Sequence, residues 1–76
     1  MVSPHDPRYE LLLERLRTAR VEAGVTQEAV AEVLGLQQPL VSRLEAGERK
    51  IDPIELAELC KLYGKPATYF VPGLPV

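Results

Sequence analysis

The chain is short of the groups that chemistry at a catalytic centre needs. It holds one cysteine, one histidine and no tryptophan in 76 residues. Cys60 has no second cysteine to pair with, which excludes an internal disulfide; a reducing, cytoplasmic setting is expected. His5 and Cys60 lie at opposite ends of the chain with no glycine-rich loop near either, so nucleophilic catalysis has no visible apparatus. No CxxC or HxxxH pair is present. No metal site, no cofactor and no enzymatic activity are therefore expected. Long apolar runs are missing as well. Nothing approaches the roughly 18 consecutive apolar residues that a membrane span requires, and no membrane partner is expected. The opening residues MVSPHDPRYE carry two prolines and no apolar core of a secretory signal. No segment alternates as a strand does, and there is no internal repeat or low-complexity tract.

A surplus of positive charge is also lacking. Nine Lys and Arg face eleven Asp and Glu, giving a net charge of −2 and a pI of about 5.3. Phosphate binding draws on clustered Lys and Arg, so an acidic chain has no broad basic face to offer nucleic acid. The distribution is more permissive than the sum. Residues 37–50 set Arg43, Arg49 and Lys50 against Glu45 and Glu48, whereas residues 26–34 carry only Glu28 and Glu32. Any anion-binding surface has to be small and local.

What is present is a 46% apolar composition, ordinary for a globular protein and too high for disorder. The length allows one small domain over residues 1–76, with an ordered core expected over about 6–70 and an apolar tail over 71–76. Helix punctuation is dense. Asp6-Pro7 opens a first helix, whose Tyr9, Leu12, Leu13, Leu16, Ala19, Arg20 and Ala23 follow helical spacing to a stop at Gly24. Thr26 caps a second, with Val25 and Val30 placed for a hydrophobic staple and Gly35 ending it. A third runs from Gln38 to Ala46, with Pro39 in its first turn and Gly47 closing it. Asp52-Pro53-Ile54-Glu55 reads as a capping box opening a fourth, which ends at Gly64. Its Leu56, Leu59, Cys60 and Tyr63 share a face that Ile54 and Ala57 are expected to widen. Residues 66–70 form a short fifth. The expected fold class is all-α: a compact bundle of five short helices.

Helices two and three carry the most specific pattern. A small residue at Ala31 allows a close helix crossing, and Gly35 allows a sharp turn with positive φ. Val41 and Leu44 lie one turn apart and seat helix three on the core. Gln38, Ser42 and Arg43 are left pointing outward. The stretch TQEAVAEVLGLQQPLVSRLEAGERK resembles the helix-turn-helix of the lambda-repressor-like, Cro and XRE family of DNA-binding regulators. The likeness rests on Thr26-Gln27-Glu28, the Ala31/Gly35 pair, VSRLEAG and the Asp52-Pro53 start of helix four.

The resemblance implies double-stranded DNA as partner, with helix three as a recognition helix in the major groove. Gln37, Gln38, Ser42 and Arg43 would face base edges, and the side-chain chemistry suits that: glutamine pairs with adenine and arginine with guanine. Gln27, Arg49 and Lys50 would contact phosphates. Arg20 and Glu45 match family positions that form a structural salt bridge between helices one and three. Pro39 departs from the family pattern, because it has no polar group for a base. Arg15 and Arg17 are expected to face solvent beside helical glutamates.

The function implied is a sequence-specific transcriptional regulator, a repressor, binding a palindromic operator as a homodimer. Tyr69, Phe70, Val71, Leu74 and Val76 are more apolar than a chain end requires, and the dimer interface is expected there. Three alternatives share the same motif. One is an antitoxin that regulates its own operon and binds a toxin. Another is the controller protein of a restriction system. The third is a protein-interaction module that keeps the fold without DNA affinity.

Overall fold

Glycines at 24, 35, 47 and 64 all adopt positive φ and divide the chain into its helices. The computed structural model describes residues 6–74; His5 and Val76, singled out above, lie outside them. Within that range run α1 (Pro7–Glu22), α2 (Gln27–Leu34), α3 (Gln38–Glu45), α4 (Pro53–Tyr63) and α5 (Ala67–Phe70), with no strand among the described residues. The all-α, five-helix architecture expected from the sequence is the one adopted.

The helix ends follow the local chemistry. At the start of α1 the Asp6 carboxylate accepts from the Arg8 backbone N–H at 2.8 Å, and the Arg8 guanidinium folds back onto it. Those hydrogen bonds hold the Asp6 carboxyl down at about 2. Thr26 caps α2 by accepting from Ala29 N–H at 3.1 Å. At α4 the capping box is complete: Asp52 accepts from Glu55 N–H at 2.8 Å, and Glu55 accepts from Asp52 N–H at 3.1 Å. The four longer helices all end in the same six-to-one bond. Val25 N–H reaches Arg20 O, Leu36 N–H reaches Ala31 O, Glu48 N–H reaches Arg43 O, and Lys65 N–H reaches Cys60 O, at 2.9–3.1 Å. These are Schellman ends, which satisfy carbonyls that a helix terminus otherwise leaves open.

All five helices contribute to one core. Leu12, Leu16 and Ala19 come from α1, Val30 and Ala31 from α2, and Val41 and Leu44 from α3. Leu59 and Tyr63 come from α4 and Phe70 from α5. Burying each large apolar side chain stabilises the fold by about 1.5–3 kcal/mol. Phe70 is 0% exposed, and its ring meets that of Tyr69 edge-on at 5.0 Å.

Three expectations need correcting. Phe70 cannot serve a dimer interface, because the core already encloses it. The fourth helix does not bury a broad side: Ile54 is 73% exposed and Ala57 is exposed. At ~100° per residue, they stand about 140° and 160° around the axis from Leu59, on the opposite side. Arg15 and Arg17 do not pair with helical glutamates. Arg15 Nη1 donates to the Tyr69 carbonyl, and Arg17 Nη1 donates to the Glu45 carbonyl at 2.6 Å. Both acceptors lie in the last turn of a helix, where carbonyls lack intrahelical partners and the helix dipole favours a cation.

Candidate nucleic-acid interface

The α2–turn–α3 unit is built around Gly35. Its φ of 68° and ψ of 32° place it in the left-handed region, and a Cβ added there would meet nothing within 4 Å. Backbone conformation, not crowding, is what calls for glycine. The turn brings α3 across α2 over buried Ala31, and Val41 and Leu44 fix α3 against the core. With those two side chains inward, Gln37, Pro39, Ser42 and Arg43 are exposed and Gln38 is half-buried.

A chain of hydrogen bonds links the first residue of α3 to α1. Glu45, at the end of α3, is 5% exposed. Its Oε2 accepts from Arg20 Nε at 2.7 Å, forming an ion pair between α3 and α1. Its Oε1 accepts from Gln27 Nε2 at 3.1 Å. Gln27 Oε1 in turn accepts from Gln38 Nε2 at 2.8 Å. Arg20 also donates to the Val25 carbonyl at 3.1 Å. A buried carboxylate is costly unless both oxygens are satisfied, and here both are. Tyr63 stands close enough to feel this charge. Burial first, then the Glu45 carboxylate, pushes its hydroxyl up to about 12, with Arg20 opposing.

The sequence pattern pairs Arg20 with Glu45 and leaves Gln27 and Gln38 as separate outward contacts. The geometry ties them together. The only cue was that both glutamines open helices, and amides carry no hydrophobic period to reveal an inward bond.

The basic residues fall into two groups. Arg43 and Lys50 are exposed and make no ion pair among the described residues. Arg49 is held by Glu55 at 3.0 Å, the same carboxylate that completes the α4 capping box. That hydrogen bond raises the Arg49 pKa further above its ordinary value.

Of the residues expected at a dimer interface, Tyr69 is half-buried, with Arg15 and Lys65 stacked over its ring at 5.0 and 4.8 Å. Val71 is half-buried, and Leu74 is 39% exposed. Val71 lines a cavity of about 230 Å³ with Arg8, Tyr9 and Leu12. Cys60 is half-buried, and burial raises its thiol pKa.

No helix among the described residues is long and apolar enough to cross a membrane. A comparison with curated proteins finds no match. A family model described as helix-turn-helix matches residues 16–70, a span that runs from within α1 to the end of α5. That span contains the whole α2–Gly35–α3 unit and the Glu45 network beneath it. The chain therefore belongs to the lambda-repressor-like, XRE-type helix-turn-helix family of DNA-binding regulators.

Proposed function

We propose that the protein is a sequence-specific transcriptional repressor that occupies a palindromic operator as a homodimer. The observation that carries this reading is the outer face of α3. It offers exposed Gln37, Ser42 and unpaired Arg43 beside the anchored amide of Gln38, on a helix seated rigidly by Val41 and Leu44. A rigid helix with free donors and acceptors along one side is what major-groove readout needs. In this reading Gln37, Gln38, Ser42 and Arg43 contact base edges, with Arg43 reading guanine. Gln27 keeps one amide hydrogen free for a phosphate after serving Glu45. Lys50 contributes a second phosphate contact and Arg49 a third, the latter held in place by Glu55. One recognition helix covers few base pairs, so two copies on half-sites one helical turn apart supply the specificity. Tyr69, Val71 and Leu74, beside the cavity of Arg8, Tyr9 and Leu12, form the dimer contact.

Selection of bound duplexes from a random pool tests the reading. The expected product is a two-fold symmetric consensus. Arg49 and Lys50 from each of two copies give a log–log salt slope of roughly −3 to −4. Failure to bind any selected duplex at low salt refutes it.

The Arg49–Glu55 ion pair and the acidic composition favour a second reading, a protein-interaction module without DNA affinity. A flat salt response separates the two. Within DNA binding, the same face serves an antitoxin or a restriction-system controller equally well. A toxin gene adjacent to the coding sequence marks the antitoxin.

A further inference from the structure

We infer that Glu45, which sits beneath the recognition surface and faces away from DNA, sets which purine Gln38 reads. The inference rests on the DNA-binding reading above, and it concerns the direction of the hydrogen bonds in the Glu45–Gln27–Gln38 chain.

An ionised carboxylate has only acceptors. Glu45 Oε1 therefore obliges Gln27 to turn its NH2 toward it, which fixes the Gln27 amide. The Gln27 carbonyl oxygen is then the end that faces Gln38, and Gln38 must answer with an N–H. One amide hydrogen of Gln38 is used in this way. The groups left for a partner are its Oε1 acceptor and its second N–H donor. Adenine presents an N6–H donor and an N7 acceptor in the major groove, matching that pair, whereas guanine presents two acceptors, N7 and O6. Had the Gln38 amide been reversed, it would offer both N–H donors outward, which suits guanine. The polarity of the whole chain is set at its buried end, by a group that never touches the base.

Arg20 makes the device switchable. Its Nε donates to Glu45 Oε2 at 2.7 Å, so any replacement at 45 must still present an acceptor there. In Glu45→Gln the introduced carbonyl turns to Arg20 and the introduced NH2 turns to Gln27. Gln27 then accepts from position 45 and donates to Gln38, and Gln38 exposes its NH2. One oxygen exchanged for nitrogen beneath the surface inverts the pattern above it. Glu45 is thus a positioning residue that acts through Gln27.

The test measures affinity for a selected operator and for its adenine-to-guanine replacements, one base pair at a time. The wild type is expected to favour adenine over guanine at one position per half-site by roughly tenfold, the usual scale of one bidentate contact. Glu45→Gln should lower that ratio to one or below and leave the ratios at other positions unchanged. Gln27→Met breaks the relay but keeps the Arg20–Glu45 pair. It should bring the same ratio toward one without inverting it, so it decides the matter if Glu45→Gln fails to fold. A purely structural role for Glu45 predicts weaker binding to all duplexes alike. Wild-type ratios retained in Gln27→Met, or a wild type that binds with no adenine preference at any position, overturn the relay. A wild type that binds no duplex overturns the DNA-binding reading, and the relay with it.

Discussion

Removing the Glu45 side chain should take away a large share of the protein's stability. Glu45→Ala strands two groups at once. Arg20, whose side chain is 19% exposed, loses its ion-pair partner. Gln27 loses the acceptor for its NH2. Breaking one partner of a buried pair costs about 3–5 kcal/mol, because the remaining charge stays desolvated. A domain of this size has a total stability of only about 4–11 kcal/mol. Each kcal/mol moves the midpoint of a small domain by about 4–8 °C. The melting midpoint, followed by far-ultraviolet circular dichroism, should therefore fall by at least about 12 °C. The double replacement Arg20→Met with Glu45→Met should recover most of that loss, since two apolar side chains strand no charge. A Glu45→Ala midpoint within about 4 °C of wild type would refute the argument, and would mean that water reaches the pair freely enough to replace the missing partner.

Other outcomes follow from the same geometry. Gly35→Ala and Gly47→Ala both force an L side chain into positive φ, at a cost of about 1–2 kcal/mol. At Gly47 the added Cβ also meets Leu13 Cδ1 at 2.8 Å, so Gly47→Ala should melt below Gly35→Ala; the reverse order would mean that Leu13 gives way without loss. The Tyr63 hydroxyl ionises near 10 in the unfolded chain and at about 12 in the fold. The native state then holds the extra proton, so its contribution is complete below pH 10 and is lost as pH rises to 12. Urea titrations across that window should show a decline of about 3 kcal/mol, absent in Tyr63→Phe. Arg43→Ala should cost about 1–3 kcal/mol of affinity and relax preference at one base pair. Lys50→Ala should weaken all duplexes alike and flatten the salt slope by about one per copy. Identical behaviour of the two variants would undo the division into base and phosphate contacts.

What could be read from the sequence was local. Asp6, Thr26 and Asp52 as caps, and the glycine stops, act over three to six residues, so their meaning does not depend on the rest of the fold. The helix-turn-helix was legible for the same reason: Ala31, Gly35, Val41 and Leu44 are constrained within one short segment. The rest depended on contacts made across the chain. Arg15 finds the Tyr69 carbonyl 54 positions away, and Arg17 finds Glu45 across 28. Neither distance leaves a periodic trace, so both arginines looked like solvent charges. Phe70 looked like a sticky chain end because nothing nearby in sequence shows that α5 folds back against α1. Gln27 and Gln38 both stand out at the starts of their helices, but their mutual bond needs the angle between α2 and α3, which composition does not encode.

The return of α5 onto α1 has a consequence for the order in which the chain is made. Leu12, Leu16 and Ala19 leave the ribosome before Phe70, and the core they belong to lacks its largest fully buried side chain until Phe70 follows. Closing the α1–α5 contact requires a loop of more than fifty residues, so its entropic cost is met only once α5 has been made. A ribosome paused before α5 would hold a finished α2–α3 pair over an unsealed interior. The chain gains its lasting grip on shape, and with it a rigid reading head, only when the ring at position 70 is in place.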